Sequence, residues 1–292
     1  CNLKEGMKVA VALPGAWVKW HGEGESVQLT ETKIRGESSF GMICAGEEIG
    51  LESDNPPGSQ EVHIHDLSHT SAKPGTPLAK ALDKNDAVFD IDNKSLTHRP
   101  DLWGHYGIAR EVAAILKKPL KPLAPLLKYA KGKPKGKFKI SIKSAKDCPR
   151  FSGCILTGIK IEDSPAWLKS QLEAVGMRTI NNIVDITNYV MLELGEPMHA
   201  YDRQWVGGDE LIVRRANANE ILETIDHKKR RLHTDDLVIA NSAGDALGLA
   251  GLMGGVGSEI TPKTTEIILE SANFNPITIR KMSMRHGLRS DA

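Results

Sequence analysis

The chain has 292 residues, 40% of them hydrophobic and 26% charged, and its 38 Lys+Arg against 37 Asp+Glu leave a formal net charge of +1. This is an ordinary globular composition, long enough for two or three domains. It excludes a collagen-like or broadly disordered chain, and no apolar run approaches the ~18 residues of a membrane span. The four cysteines, Cys1, Cys44, Cys148 and Cys154, form no CxxC pair. They predict reduced thiols in a cytoplasmic protein rather than a disulfide framework. No charged-then-apolar leader opens the chain, so secretion is not signalled. A first residue other than Met and an end just past a helix-like pattern lead to the expectation of a piece of a longer polypeptide.

Residues 1–72 read as β structure. Val9–Leu13 is a short apolar strand that runs into a Pro14-Gly15 turn, and strand-like pieces surround Lys33–Gly36 and Gly41–Cys44. A histidine group, His63, His65 and His69, has loose metal-ligand spacing, but no nearby cysteine completes it, and an exposed polar loop is the simpler expectation. From residue 73 the Lys73–Pro77 turn precedes Ala87–Asp92, whose period-two alternation predicts a half-buried strand. Leu102, Ile108, Val112, Ile115 and Leu116 then recur at helical intervals over 101–118, with Lys117 and Lys118 at the end where cations suit the helix dipole. Residues 112–146 hold eleven lysines, no acid and four prolines, the pattern of an extended basic linker that could also meet RNA phosphates.

Beyond the linker, strands are predicted at 139–142, 154–161, 211–213, 221–224, 237–240 and 267–270. Ser164 in the N-cap role followed by Pro165 opens a helix that Gly176 ends. A second helix carries the run from Arg178 to Asp202. Mixed elements without a regular βα repeat predict an α+β fold. That run sets Asn181, Asn182, Asp185, Thr187, Asn188 and His199 among apolar residues. So many short polar groups in a core-like segment predict a polar-lined cavity. Glycines at 251, 254 and 255 allow close backbone approach, since no Cβ intrudes. Glu270 ends the apolar strand Ile267–Leu269, where a carboxylate must find a hydrogen bond or solvent.

Six segments in order give a family resemblance: KIRGESSFGMIC at 33–44, THRPDLWGHYGIAREVAA at 97–114, residues 185–202, 248–255, 269–274 and 285–292. Together they resemble the β subunit of bacterial phenylalanyl-tRNA synthetases along nearly the whole chain. The resemblance implies a partial OB-like tRNA-binding barrel at 1–72, lacking its first strands. It implies a B1-type element with the basic linker at 73–130 and a B3/B4 editing domain at 131–292. The implied activity is hydrolysis of mischarged Tyr-tRNA(Phe). In that reading Glu270 accepts a hydrogen bond from the tyrosine phenol, and His199 positions water or the ester. Thr187, Asn188, Gly251, Gly254, Ser290 and Ala292 line the pocket. Ser290 stands where the family usually has Thr, which keeps the hydroxyl and loses a methyl.

A polar site of this kind matters because an apolar synthetic pocket rejects an added hydroxyl only about 10²-fold, whereas a site built to bond the hydroxyl rejects its absence by about 10⁴ or more. No GxSxG elbow or Cys–His pairing offers a nucleophile. The expected chemistry is attack by water on the aminoacyl ester, assisted by the 3′ ribose hydroxyl of the tRNA, with the pocket supplying proximity. The resemblance further implies tRNA(Phe), an α subunit in an α₂β₂ assembly, and ATP and Mg²⁺ for the full enzyme, with no cofactor or metal for this piece. The competing expectation is a non-catalytic RNA-binding or scaffolding module.

Overall fold

A computed structural model describes residues 2–51, 55, 62–123 and 138–290. Chain contacts divide it into two units, residues 1–90 and 91–292. The first unit is built from three antiparallel ribbons: β1 (Val11–Ala12) with β6 (Met42–Ile43), β2 (Trp17–Lys19) with β3 (Ser26–Gln28), and β4 (Thr32–Ile34) with β5 (Glu37–Ser39). Arg35 and Gly36, at φ 54° and 92°, supply the left-handed pair that a two-residue hairpin turn requires. A small core of Ala10, Ala12, Val18, Cys44 and Leu67 joins the first two of these ribbons, and β4–β5 contributes no residue to it. The buried Glu48 accepts the Ala45 amide at 2.8 Å. A short helix, α1 (Leu78–Ala81), follows. Among the described residues no sheet closes into a barrel.

The second unit is α+β, as expected. Its larger sheet has five strands in the order β15-β14-β13-β10-β7: Met253–Gly254, Ala246–Leu249, Leu237–Ala240, Glu210–Arg215 and Lys139–Ile142. The β10–β7 pair is parallel and the rest antiparallel. The central β13 is buried along its whole length, as a strand covered on both faces must be. Its Leu237 and Ile239 enter one core with Leu211, Val213 and Tyr201. Val238, on the opposite face, enters a second core with Leu222, Leu252 and Met282. A three-stranded antiparallel sheet, β8 (Arg150–Thr157), β16 (Glu266–Asn273) and β9 (Met198–Asp202), has β16 in the middle. A small ribbon pairs β11 (Ile221–Glu223) with β12 (Lys229–Arg231).

Among the described residues five α-helices complete the unit: α2 (His105–Ile115), α3 (Ala166–Ala174), α4 (Asn182–Leu194), α5 (Arg203–Val206) and α6 (Pro276–His286). Asn181 caps α4 through the amides of Ile183 and Val184, and Asn275 caps α6 through those of Ile277 and Thr278. Left-handed Gly195 and Gly287 end the same two helices. His105 Nδ1 lies 2.8 Å from the Leu192 carbonyl at the end of α4, and a Cβ on Gly104 would fall 2.3 Å from the Gly195 amide nitrogen. The two helices therefore meet backbone to backbone. None of the described helices is long and apolar enough to cross a membrane.

Several sequence expectations are corrected. Residues 87–92 form no strand; Val88 and Phe89 are 83% exposed, because alternation alone supplies no partner to pair with. The basic linker is shorter than 112–146, since α2 takes its start and β7 part of its end. Residues 124–137 lie outside the described residues. The strand at 154–161 begins at Arg150 and stops at Thr157, before left-handed Gly158. Ser164 does not cap α3; its hydroxyl donates to Asp185 at 2.5 Å instead. The run 178–202 is not one helix. It is α4, a Gly195 stop and then β9.

Candidate active site

Strands β9 and β16 place three functional side chains on one face. Glu270 pairs directly with His199, and Ile268 with Tyr201. Directly opposed residues of an antiparallel pair share a face, as do residues two apart on one strand. His199, Tyr201, Glu270 and Ala272 therefore point together. They form one side of a cavity of about 300 Å³. The opposite side is the β14–β15 hairpin, with its turn at Ala250–Leu252, and Phe274, Pro276 and Ile279 close it from the start of α6.

The glycines of the hairpin act by close approach. A Cβ on Gly254 would sit 2.6 Å from Cε1 and 2.7 Å from Nε2 of His199, so the imidazole rests against bare backbone. Gly251 turns the hairpin at φ 66°, and a Cβ there would meet the Phe274 ring at 3.0 Å. Gly255 serves packing: a Cβ on it would lie 2.7 Å from the Leu247 carbonyl oxygen.

Among the described residues Glu270 is the only charged one lining this cavity. It is 6% exposed, and burial pushes its carboxyl up to about 7, partly opposed by the hydrogen bond that Tyr201 Oη donates to Oε2. Oε1 has no hydrogen-bond partner among the described residues. Among the described residues no arginine reaches the carboxylate. Burial lowers His199 to about 4, which leaves the imidazole neutral at pH 7 with one nitrogen to donate and one to accept. The rings of His199 and Tyr201 meet edge to face, with centroids 4.5 Å apart. The cavity sets apolar side chains beside a carboxylate oxygen with no partner among the described residues and a neutral imidazole, an arrangement that can receive a hydrogen-bond donor.

Of the residues expected in the site, His199, Gly251, Gly254 and Glu270 come together here. Thr187 and Asn188 do not. Both sit on α4, where the Thr187 hydroxyl donates back to the Val184 carbonyl at 2.7 Å. Ser290 lines a neighbouring cavity of about 760 Å³, with Pro100, Trp103, Arg178 and Met191, and Pro197 borders both. Ala292 lies outside the described residues. Tyr201 was missed. Its signal was position: it stands two residues from His199, which matters only once 198–202 is read as a strand. Among the described residues no three His, Cys, Asp or Glu side chains gather to hold a metal.

A profile described as "B3/4 domain" matches residues 147–292. The phenylalanine–tRNA ligase β subunit of Anaeromyxobacter dehalogenans is 42% identical over 272 residues, 91% of this chain and 32% of that protein. That of Porphyromonas gingivalis is 38% identical over 295 residues, 100% of this chain and 35% of that protein. A crystal structure of an N-terminal fragment of the phenylalanyl-tRNA synthetase β subunit from Pyrococcus horikoshii is a distant likeness. It has a TM-score of 0.36 and 15% identity, and the match covers 69% of this chain and 64% of that one. The chain spans about a third of the length of the curated relatives it matches. With the domain profile matched across half its length, the chain belongs to the B3/4 domain family, and the curated proteins it resembles along nearly all of its length are phenylalanine–tRNA ligase β subunits.

Proposed function

We propose that the cavity between β9, β16 and the β14–β15 hairpin is an editing site that hydrolyses Tyr-tRNA(Phe). One observation carries this reading: a buried carboxyl, with one oxygen free of protein partners among the described residues, in a cavity it shares with His199, Tyr201, glycine backbone and apolar side chains. A tyrosine ring entering there gives Oε1 a donor. A phenylalanine ring leaves it facing carbon, at the cost of an unmade buried hydrogen bond. Water adds to the ester carbonyl carbon, and the bond to the terminal ribose breaks. The ribose oxygen leaves as a hydroxyl with the proton that the water gives up. Neutral His199, held against Gly254, orients the water or the ester end.

In this reading residues 1–72 are part of an OB-type tRNA-binding barrel, 73–130 a B1-type element and linker, and 131–292 the editing module. Ser290, which lines the neighbouring cavity, belongs to the approach to the site. The larger assembly pairs with an α subunit in the cytoplasm, and ATP and Mg²⁺ serve aminoacylation there rather than the hydrolysis described here. The test is deacylation of Tyr-tRNA(Phe) by the chain. His199→Ala is expected to slow it by about 10²-fold. An unchanged rate removes His199 from the chemistry, and no deacylation by the wild type would favour a non-catalytic RNA-binding module.

A further inference from the structure

We propose that Tyr201 is the positioning residue that makes Glu270 selective: its phenol occupies one carboxylate oxygen, so that the cavity presents a single acceptor to the para position of a bound aromatic amino acid. This rests on the editing-site reading.

The observations are geometric. Tyr201 is 2% exposed, and its hydroxyl donates to Glu270 Oε2. The side chain is fixed from three directions. Its strand pairs with β16 through Ile268, its ring packs in the core with Leu211 and Ile239, and its edge meets His199. Glu270 Oε2 is thereby held in one place, and the rotation of the carboxyl group is fixed with it. Oε1, without a protein partner, is left for a ligand.

A bland role for the pair, in which the carboxylate merely satisfies a buried phenol, fits poorly. A buried phenol needs one acceptor, and a neutral amide would provide it without burying a charge. A carboxylate with two oxygens, one of them unmet, is the arrangement for receiving a second hydroxyl. The pair also has few neighbours to disturb it. Titratable groups facing Glu270 are Tyr201 and His199 on β9 and the Cys148 thiol ahead of β8. Burial and the nearby Glu270 push that thiol up to about 11, and burial and Glu270 hold Tyr201 well above 10, so both stay protonated through neutrality. Neither the hairpin nor the start of α6 contributes a charged group to the cavity.

The sign of the effect follows. Donation from Tyr201 stabilises the ionised carboxylate and so lowers the Glu270 titration. Discrimination is greatest when Glu270 is ionised, because a bare phenylalanine ring then strands a charge. Removing the phenol raises the titration and unlocks the carboxyl rotation, and both changes weaken discrimination at pH 7.

The experiment is calorimetric binding of free L-tyrosine and L-phenylalanine to the full chain between pH 5.5 and 8.5, for wild type, Glu270→Gln and Tyr201→Phe. Wild type is expected to prefer tyrosine, with a preference that grows as pH rises through about 7. Tyr201→Phe is expected to cut the ratio by about 10-fold, the scale of a hydrogen bond to a charged group. It should also move the midpoint upward by about one pH unit. Incorporation of 3-fluorotyrosine at position 201 serves as a second variant that keeps the bond. Its more acidic phenol donates more strongly, and the midpoint should move down. If wild type shows no preference, or Glu270→Gln keeps it, the editing reading falls and this inference with it. If those two behave as expected while both Tyr201 variants retain the wild-type midpoint, the inference alone is overturned.

Discussion

In residues 2–90 the strands are two or three residues long and pair only in twos, around a core of five buried residues. In residues 91–290, β8 and β16 each run for eight residues and stay in register throughout, and β13 separates two larger cores. The first unit leaves Leu13, Trp17, Trp20 and Phe40 more than half exposed, whereas in the second the strand residues Leu211, Val213, Leu237 and Ile267 are fully buried. Both units use β hairpins and both bury a carboxylate, Glu48 against the Ala45 amide in the first and Glu270 on a central strand in the second. Holding Glu270 in a low-dielectric wall needs a central strand with partners on both sides, and β16 has them.

The largest expected effect comes from breaking the long sheet. Leu211→Ala removes a fully buried side chain from the first core of the second unit and should cost about 2–5 kcal/mol in urea unfolding followed by circular dichroism. Trp17→Ala, at a side chain 66% exposed, should cost about 0.5 kcal/mol or less. Equal costs would mean that the two units do not differ in the way their burial indicates.

Next comes the polar anchor at the base of α4. Asp185 is fully buried and accepts from the Ser164 hydroxyl at 2.5 Å and the Ile180 amide at 2.8 Å. Asp185→Ala strands both donors and should cost about 2–3 kcal/mol. Hydrogen exchange should locate the loss at 164–185, and unchanged protection there would show that the anchor is dispensable.

A smaller and more specific effect separates the two titratable residues of the cavity. Glu270 has its folded value raised, from 4.5 to about 7, so the folded state holds the extra proton. Its contribution is present below the unfolded value and is lost as pH rises from about 4.5 to 7. His199 has its folded value lowered, from 6.5 to about 4. The unfolded state takes up that proton first, so stability falls as pH drops from about 6.5 to 4. The two slopes oppose each other in the wild type. Glu270→Gln should therefore show stability rising with pH across this window, and His199→Gln stability falling, each by at most about 1.4 kcal/mol per pH unit. Slopes of the same sign in both variants would show that one of the two groups is not desolvated.

Much of the candidate site was legible because it rests on residue type. A carboxylate at the end of an apolar strand, a histidine beside Pro197 and glycines spaced along a hairpin announce themselves locally. Residue type singled out Glu270, His199, Gly251 and Gly254, and the family resemblance gave them their place in a pocket. The α+β class was legible too, from the want of a βα repeat. What was hidden depends on partners distant in sequence. The segment Met198–Asp202 becomes a strand only because β16, about 70 residues later, pairs with it, and without that pairing it continues a helical pattern. Tyr201 was lost for that reason. Thr187 looked like a cavity residue by composition, but inside a helix its hydroxyl turns back to the backbone. Val88 and Phe89 alternate as a strand would and find no neighbour. Ser164 has the position of a cap, and Asp185 takes its hydroxyl instead.

The most direct measurement of the central claim is the affinity of the chain for free L-tyrosine against L-phenylalanine at pH 8, where Glu270 is ionised, for wild type and Glu270→Gln. A tyrosine preference in the wild type that is lost in the variant is the predicted result. Equal affinity of the wild type for the two amino acids would contradict it.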